Sequence, residues 1–220
     1  MTSVFLSLSA VLAASVLASP VAGATPVADR PATVPSGWVA VDGAELARTA
    51  EGADTRKAPL AAGDSVSTVA AEPELLALQS ARNEQFVATE INYAAPNTGA
   101  LRARSADVGG AWEGFGFEWD ETSQTYAIKS LANNRYVAVE KNYTGSTQNI
   151  LRARSTSAGG WERFVLFYNE GLDRYALQST LNGLFVTMEN SYTGSLQYTL
   201  RARSAEITGS WEEFVLYELV

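Results

Sequence analysis

The chain of 220 residues contains no cysteine and no histidine, and its formal net charge is −8. Those absences exclude a disulfide framework, a thiolate nucleophile, a Cys/His metal site and a Ser-His-Asp triad, so the chain is expected to be non-enzymatic and cofactor-free. An acidic balance with dispersed bases also argues against nucleic acid as a partner.

Residues 1–24 read as a secretory signal. Val4 to Ala18 is an uncharged apolar run, and Ala22-Gly23-Ala24 supplies a small-x-small cleavage site. No Lys or Arg precedes the run, so either the signal is atypical or the true start lies elsewhere. A membrane anchor is the alternative, but the Ser, Ala and Pro content suits a stable span poorly. The expectation is a secreted, extracellular protein with no membrane span after signal removal.

Residues 25–74 are rich in Ala, Pro, Gly, Asp and Thr without a sustained period. Such composition offers little to bury and predicts a disordered extension. Inside it, Ser36-Gly37-Trp38-Val39-Ala40-Val41-Asp42-Gly43 is a short strand-like patch. Two readings stay open: a strand that packs on the parent domain, or a linear motif through which Trp38, Val39 and Val41 add a strand to another secreted protein. On the second reading the segment is disordered in the free chain.

From residue 75 onward the sequence repeats itself. Leu-Arg-Ala-Arg-Ser begins at Leu101, at Leu151 and at Leu200, about fifty residues apart. Glu90, Glu140 and Glu189 precede it, then Tyr93, Tyr143 and Tyr192; Trp-Glu pairs at Trp112, Trp161 and Trp211 follow it. A period of this length sets the architecture before any local reading. Each repeat (75–123, 124–172, 173–220) divides into four alternating runs rich in Val, Leu, Tyr, Phe and Thr, separated by turn residues such as Asn133-Asn134 and Asn182-Gly183. The prediction is an all-β fold of three four-stranded repeats, with almost no helix: a β-trefoil, six strands closing a barrel and six capping it. A three-bladed propeller falls below the usual blade number. Strand alternation turns Leu101, Leu151 and Leu200 inward, with Leu78, Ile128, Leu177, Phe115, Phe164 and Phe214. It turns the Arg pairs (Arg102/Arg104, Arg152/Arg154, Arg201/Arg203) outward, near the glutamates.

The recurring Leu-Gln-Ser, Phe/Tyr-Val-Ala, Glu, Leu-Arg-Ala-Arg and Gly-Gly-Trp-Glu-x-Phe-x-Leu pattern resembles the fascin-like β-trefoil family over all of 75–220. That resemblance implies the fold, and it implies function only loosely. Such trefoils bundle actin in animal cells, and bacterial relatives accompany secreted polysaccharide-degrading enzymes as presumed carbohydrate-binding modules. The Gln-x-Trp signature of ricin-type trefoils is absent. The layout is also faintly similar to adaptor subunits of actinobacterial umbrella-type toxin particles.

The loop between the second and third strands is the candidate binding surface. Tyr93, Tyr143 and Tyr192 offer flat aromatic faces for a sugar ring, and Asn142, Gln148, Gln197, Arg152 and Arg201 offer groups for its hydroxyls. Three weak sites on one body would act through effective concentration on a glycan or polysaccharide. The alternative is that each Tyr packs over its hairpin while the Arg pairs with Glu90, Glu140 or Glu189. The Trp-Glu pairs read as core closure. Two functions follow: a carbohydrate-binding, lectin-like protein, or a protein-protein adaptor using 36–43 and the trefoil for different partners. Actin bundling ranks below both, since a secreted single trefoil lacks the compartment and the valency.

Overall fold

The computed structural model describes residues 35–52, 57–58 and 72–220. The expected signal (1–24) and most of the expected extension lie outside those residues. The chain folds as a β-trefoil. The described strands are β1 (Val39–Ala40), β2 (Lys57–Ala58), β3 (Glu74–Ser80), β4 (Phe86–Glu90), β5 (Ala100–Ser105), β6 (Gly114–Asp120), β7 (Thr125–Ser130), β8 (Arg135–Val139), β9 (Leu151–Ser155), β10 (Arg163–Asn169), β11 (Arg174–Ser179), β12 (Phe185–Met188), β13 (Leu200–Ser204) and β14 (Phe214–Leu219). Strands β3 to β14 fall where the twelve alternating runs predict them.

The first and fourth strands of each repeat close a six-stranded antiparallel barrel in the order β3-β6-β7-β10-β11-β14 and back to β3. The second and third strands form three hairpins, β4-β5, β8-β9 and β12-β13, each with a register shift at its start. Inward alternation holds throughout: Leu78, Leu101, Phe115, Ile128, Leu151, Phe164, Leu177, Leu200 and Phe214 share one core.

The hairpins meet around the pseudo-threefold axis through a cycle of backbone bonds, each repeat donating to the one before it. Ala153 N–H donates to Gly99 O (2.8 Å), Ala202 N–H to Asn149 O (3.0 Å) and Ala103 N–H to Tyr198 O (2.9 Å). Gly99, Asn149 and Tyr198 all have positive φ, at 82°, 60° and 63°. That left-handed conformation aims each carbonyl at the next repeat and explains why Gly and Asn occupy two of the three positions.

The N-terminal segment requires a correction. Residues 36–43 are docked on the trefoil of their own chain and are not disordered. Val39 and Ala40 pair antiparallel with Tyr168 and Phe167, extending the sheet beyond β10. Trp38, only 7% exposed, packs with Val165, Phe167, Ala176 and Phe185. Val41 joins the main core, its N–H bonded to Leu166 O at 2.9 Å. A helix, α1 (Gly43–Gly52), follows where almost no helix was expected. Asp42 caps it by accepting the Glu45 N–H at 2.8 Å, and Leu46 (1% exposed) anchors it in the core. The physical reason lies in β10. Phe164, Val165, Leu166 and Phe167 are all buried, so this strand is apolar on both faces and its outer face needs a cover. Of the three candidate anchors, Trp38 supplies that cover, Val41 enters the main core instead, and Val39 is 61% exposed.

Candidate functional site: the loop network at the threefold axis and a cleft in repeat three

Each hairpin ends in a loop whose Tyr, Arg and Glu form one network, repeated three times. The carboxylates of Glu90, Glu140 and Glu189 are buried beneath it. Glu140 Oε1 accepts Arg152 Nη1 at 3.0 Å, and Glu189 Oε1 accepts Arg201 Nη1 at 3.4 Å. Glu90 lies 3.6 Å from Arg102 Nη1. The same guanidinium donates to the hydroxyl of its own repeat's tyrosine: Arg102 to Tyr93, Arg152 to Tyr143, Arg201 to Tyr192.

Its Nε–H then crosses into a neighbouring repeat. Arg102 donates to Gln197 O (2.6 Å), Arg152 to Thr98 O (2.9 Å) and Arg201 to Gln148 O (2.7 Å). The three loops are thereby linked in a ring. The second arginine of each pair, Arg104, Arg154 or Arg203, pairs with the same glutamate from the solvent side. Its hydrogen bond to Glu90 holds the Arg104 guanidinium above its ordinary pKa, against the opposing effect of desolvation.

Two expectations are corrected here. The leading arginines are not surface groups: Arg102 and Arg201 are 8% and 7% exposed, because the loop of another repeat closes over each. Nor are the tryptophans core residues. Trp112, Trp161 and Trp211 are half-buried, and the phenylalanines that follow fill the core instead. Their backbone carbonyls accept N–H bonds from Thr89, Val139 and Met188, tying hairpin to barrel. The adjoining glutamates staple a turn: Glu162 accepts Gly159 N–H at 2.9 Å and Glu212 accepts Thr208 N–H at 3.1 Å.

The predicted site residues are therefore brought together, with a division of labour that the sequence did not show. Tyr93, Tyr143 and Tyr192 are half-buried with their hydroxyls engaged, while the side chains of Asn142 and Gln148 are exposed. Gln148 and Gln197 contribute backbone carbonyls to the ring of loops.

Beside this network in repeat three lies a cleft of about 620 Å³ that includes Gln148, Arg201, Asn190, Arg203, Thr208 and Trp211 in its lining. The three repeats diverge here. Asn190 stands where repeats one and two have Ile91 and Lys141, and Thr208 where they have Gly109 and Gly159. The Arg203 side chain is 53% exposed, against 39% for Arg104 and 36% for Arg154, so its donors are the most accessible of the three. Arg82 stacks over the Trp211 ring at 4.3 Å and fixes the indole at the cleft's edge. Asn190, Thr208 and Trp211 were not among the predicted site residues. The signal that could have found them is the departure of repeat three from the pattern.

Comparison with known proteins gives the fold and nothing finer. No protein-family profile matches this chain, and no curated protein sequence matches it. Among solved structures, it is similar to ThreeFoil, a designed 3-fold symmetric protein, with TM-score 0.54 and 18% identity over 66% of this chain and 99% of that one. It is also similar to the Polyporus squamosus lectin, bound there to the epitope Neu5Acα2-6Galβ1-4GlcNAc, with TM-score 0.51 and 14% identity over 68% of this chain and 50% of the lectin. A mosquitocidal holotoxin matches with TM-score 0.56 and 12% identity; the match covers 71% of this chain and 18% of the toxin.

Proposed function

We propose that this protein is a secreted, non-enzymatic carbohydrate-binding β-trefoil whose principal sugar site is the repeat-three cleft. The observation that carries the reading is the convergence there of an indole, an accessible guanidinium, an amide and a hydroxyl at Trp211, Arg203, Asn190 and Thr208. A sugar ring presents an apolar C–H face and a rim of hydroxyls, and this set offers an aromatic surface for the first and donors and acceptors for the second. The fascin-like sequence pattern and the sugar-bound lectin of the same fold support the reading. The alternative, an adaptor docking a partner through 36–43, would first have to extract Trp38 from its pocket. That cost leaves the glycan reading ahead.

The test is retention of the mature protein on a glycan array. Wild type should be retained on at least one glycan, and the Asn190→Ala, Arg203→Ala double variant should bind about tenfold or more weakly, since hydrogen bonds involving charged groups contribute roughly 1.5–3 kcal/mol. Asn190 is exposed, and Glu189 keeps Arg201 when its solvent-side partner Arg203 is removed, so the unfolding midpoint should fall only modestly. Retention on no glycan would remove this function. Secretion carries its own check: mass spectrometry of the protein from culture medium should show a mature chain starting at Thr25, and an intact Met1 would contradict it.

A further inference from the structure

Two acids and two bases line the repeat-three cleft, Glu189, Glu212, Arg201 and Arg203, and burial treats them unequally. Both acids are buried and engaged. Glu189 faces Arg201 and Arg203, while Glu212 Oε2 accepts hydrogen bonds from the Thr208 N–H (3.1 Å) and hydroxyl (3.3 Å). Arg201 is buried as well, held by Glu189, the Tyr192 hydroxyl and Gln148 O. Of the four, Arg203 is the one whose charge reaches solvent. Glu206, an exposed acid three residues on, does not line the cleft.

The repeats also differ in what occupies the guanidinium of the second arginine. Arg104 lays Nε and Nη2 on the two oxygens of Glu90. Arg154 donates its Nε–H to Glu140 and stands over the Trp161 ring at 5.7 Å. Arg203 approaches Glu189 through Nε at 3.1 Å, and its two Nη groups donate no hydrogen bond among the described residues. The ring that Arg154 finds on Trp161 is taken on Trp211 by Arg82 of repeat one, 4.3 Å from the centroid. Ala132 and Leu181 stand at the position of Arg82 in the other two repeats. Repeat three thus keeps one guanidinium on its indole and a second one with its outer end free.

A guanidinium held by its Nε still presents N–H donors from Nη1 and Nη2 end-on, and the two oxygens of a carboxylate match that fork. Such charge-assisted pairs are roughly twice as strong as neutral hydrogen bonds, so an acidic sugar gains here over its neutral counterpart. The chain's net charge of −8 opposes an anion only at long range. With a screening length of about 8 Å at physiological salt, the groups in and beside the cleft decide the preference. Resting on the carbohydrate-binding reading above, we propose that the cleft selects sugars that carry a carboxylate, a uronic or a sialic acid. Arg203 pairs with the carboxylate, Trp211 takes the ring face, and Asn190 and Thr208 take hydroxyls.

The experiment compares binding of the protein to oligosaccharides ending in glucuronic acid or N-acetylneuraminic acid, to the carboxyl-reduced form of each, to a 6-sulfated galactose terminus and to neutral glucose and galactose termini. At least one acidic glycan should bind about tenfold or more tightly than its carboxyl-reduced form, and its terminus identifies the source of the carboxylate. This comparison is made on wild type and needs no variant to fold. Arg203→Gln should bring the acid and its reduced form to within about twofold of each other. Arg135→Gln removes the same charge from an exposed position in repeat two and should leave the preference intact. Equal binding of each acid and its reduced form, binding of neutral glycans alone, or tighter binding to the sulfated terminus would overturn the proposal while the carbohydrate-binding function stands. A preference for the acid that persists in Arg203→Gln would overturn it too. Binding to no glycan would remove both.

Discussion

Trp38→Ala is expected to destabilise the trefoil by about 3–5 kcal/mol, the range for removing a buried tryptophan. The side chain is 7% exposed and covers Val165, Phe167, Ala176 and Phe185. Its loss would therefore open a cavity and wet the outer face of β10 as well. A domain of this size has only about 5–15 kcal/mol of net stability, so the variant should show a large drop in urea midpoint. Val39→Ser makes the control, because Val39 is 61% exposed on the same two-residue strand and should change stability by no more than about half a kcal/mol. A Trp38→Ala shift as small as the control's would mean that the segment is not held in the free protein. Equilibrium unfolding followed by circular dichroism decides between the two.

Arg201→Met is the second large effect, expected at about 3 kcal/mol. The substitution leaves Glu189, 5% exposed, paired only with the solvent-facing Arg203. It also strips partners from the Tyr192 hydroxyl and from Gln148 O. Removing one member of a buried ion pair is costly because the remaining charge stays desolvated, and Arg203 keeps the loss at the lower end of the usual range. The ring of loops adds a spatial signature. Arg201 sits in repeat three while Gln148 sits in the loop of repeat two, so amide exchange should quicken at 145–150 as well as around Tyr192. A loss below about 1 kcal/mol, or exchange confined to repeat three, would show that the loops are not linked.

The architecture was legible because it is written three times. In Leu-Arg-Ala-Arg-Ser the alternation of Leu and Ala with Arg specifies which face enters the barrel, and any one-residue slip would bury the arginines of all three copies. What alternation could not say is what lies over the outer face. Arg102 and Arg201 point away from the barrel as expected, yet they are buried, because the covering loop comes from another repeat about fifty residues or more away. Trp38 stays open between two readings in the sequence for a related reason, and the structure takes the one in which its strand packs on the parent domain. A short apolar motif looks the same whether its groove is on a partner or on its own chain. The groove here is assembled from β10, β11 and β12, and only the unbroken Phe164-Val165-Leu166-Phe167 run hinted that β10 needed a second cover.

The candidate sugar site was partly legible. Gln148 and Arg201 do border the repeat-three cleft, whereas Tyr192 serves the loop network with its hydroxyl bound to Arg201. Chemistry-bearing residues at repeated positions were found by the repeat itself. Asn190 and Thr208 were not, since what distinguishes them is that they break it.

The most direct test of the carbohydrate-binding account is a backbone amide NMR titration of the mature protein with the best glycan from the array. Perturbations should concentrate at 188–191, 203–205 and 208–212, with the Trp211 indole N–H shifting most, and in the Asn190→Ala, Arg203→Ala variant they should need about tenfold or more glycan to reach the same size. Equal perturbations at the Tyr93, Tyr143 and Tyr192 loops with none at 188–191 or 203–212 would contradict the assignment of the cleft, and no perturbation by any glycan would contradict the function itself.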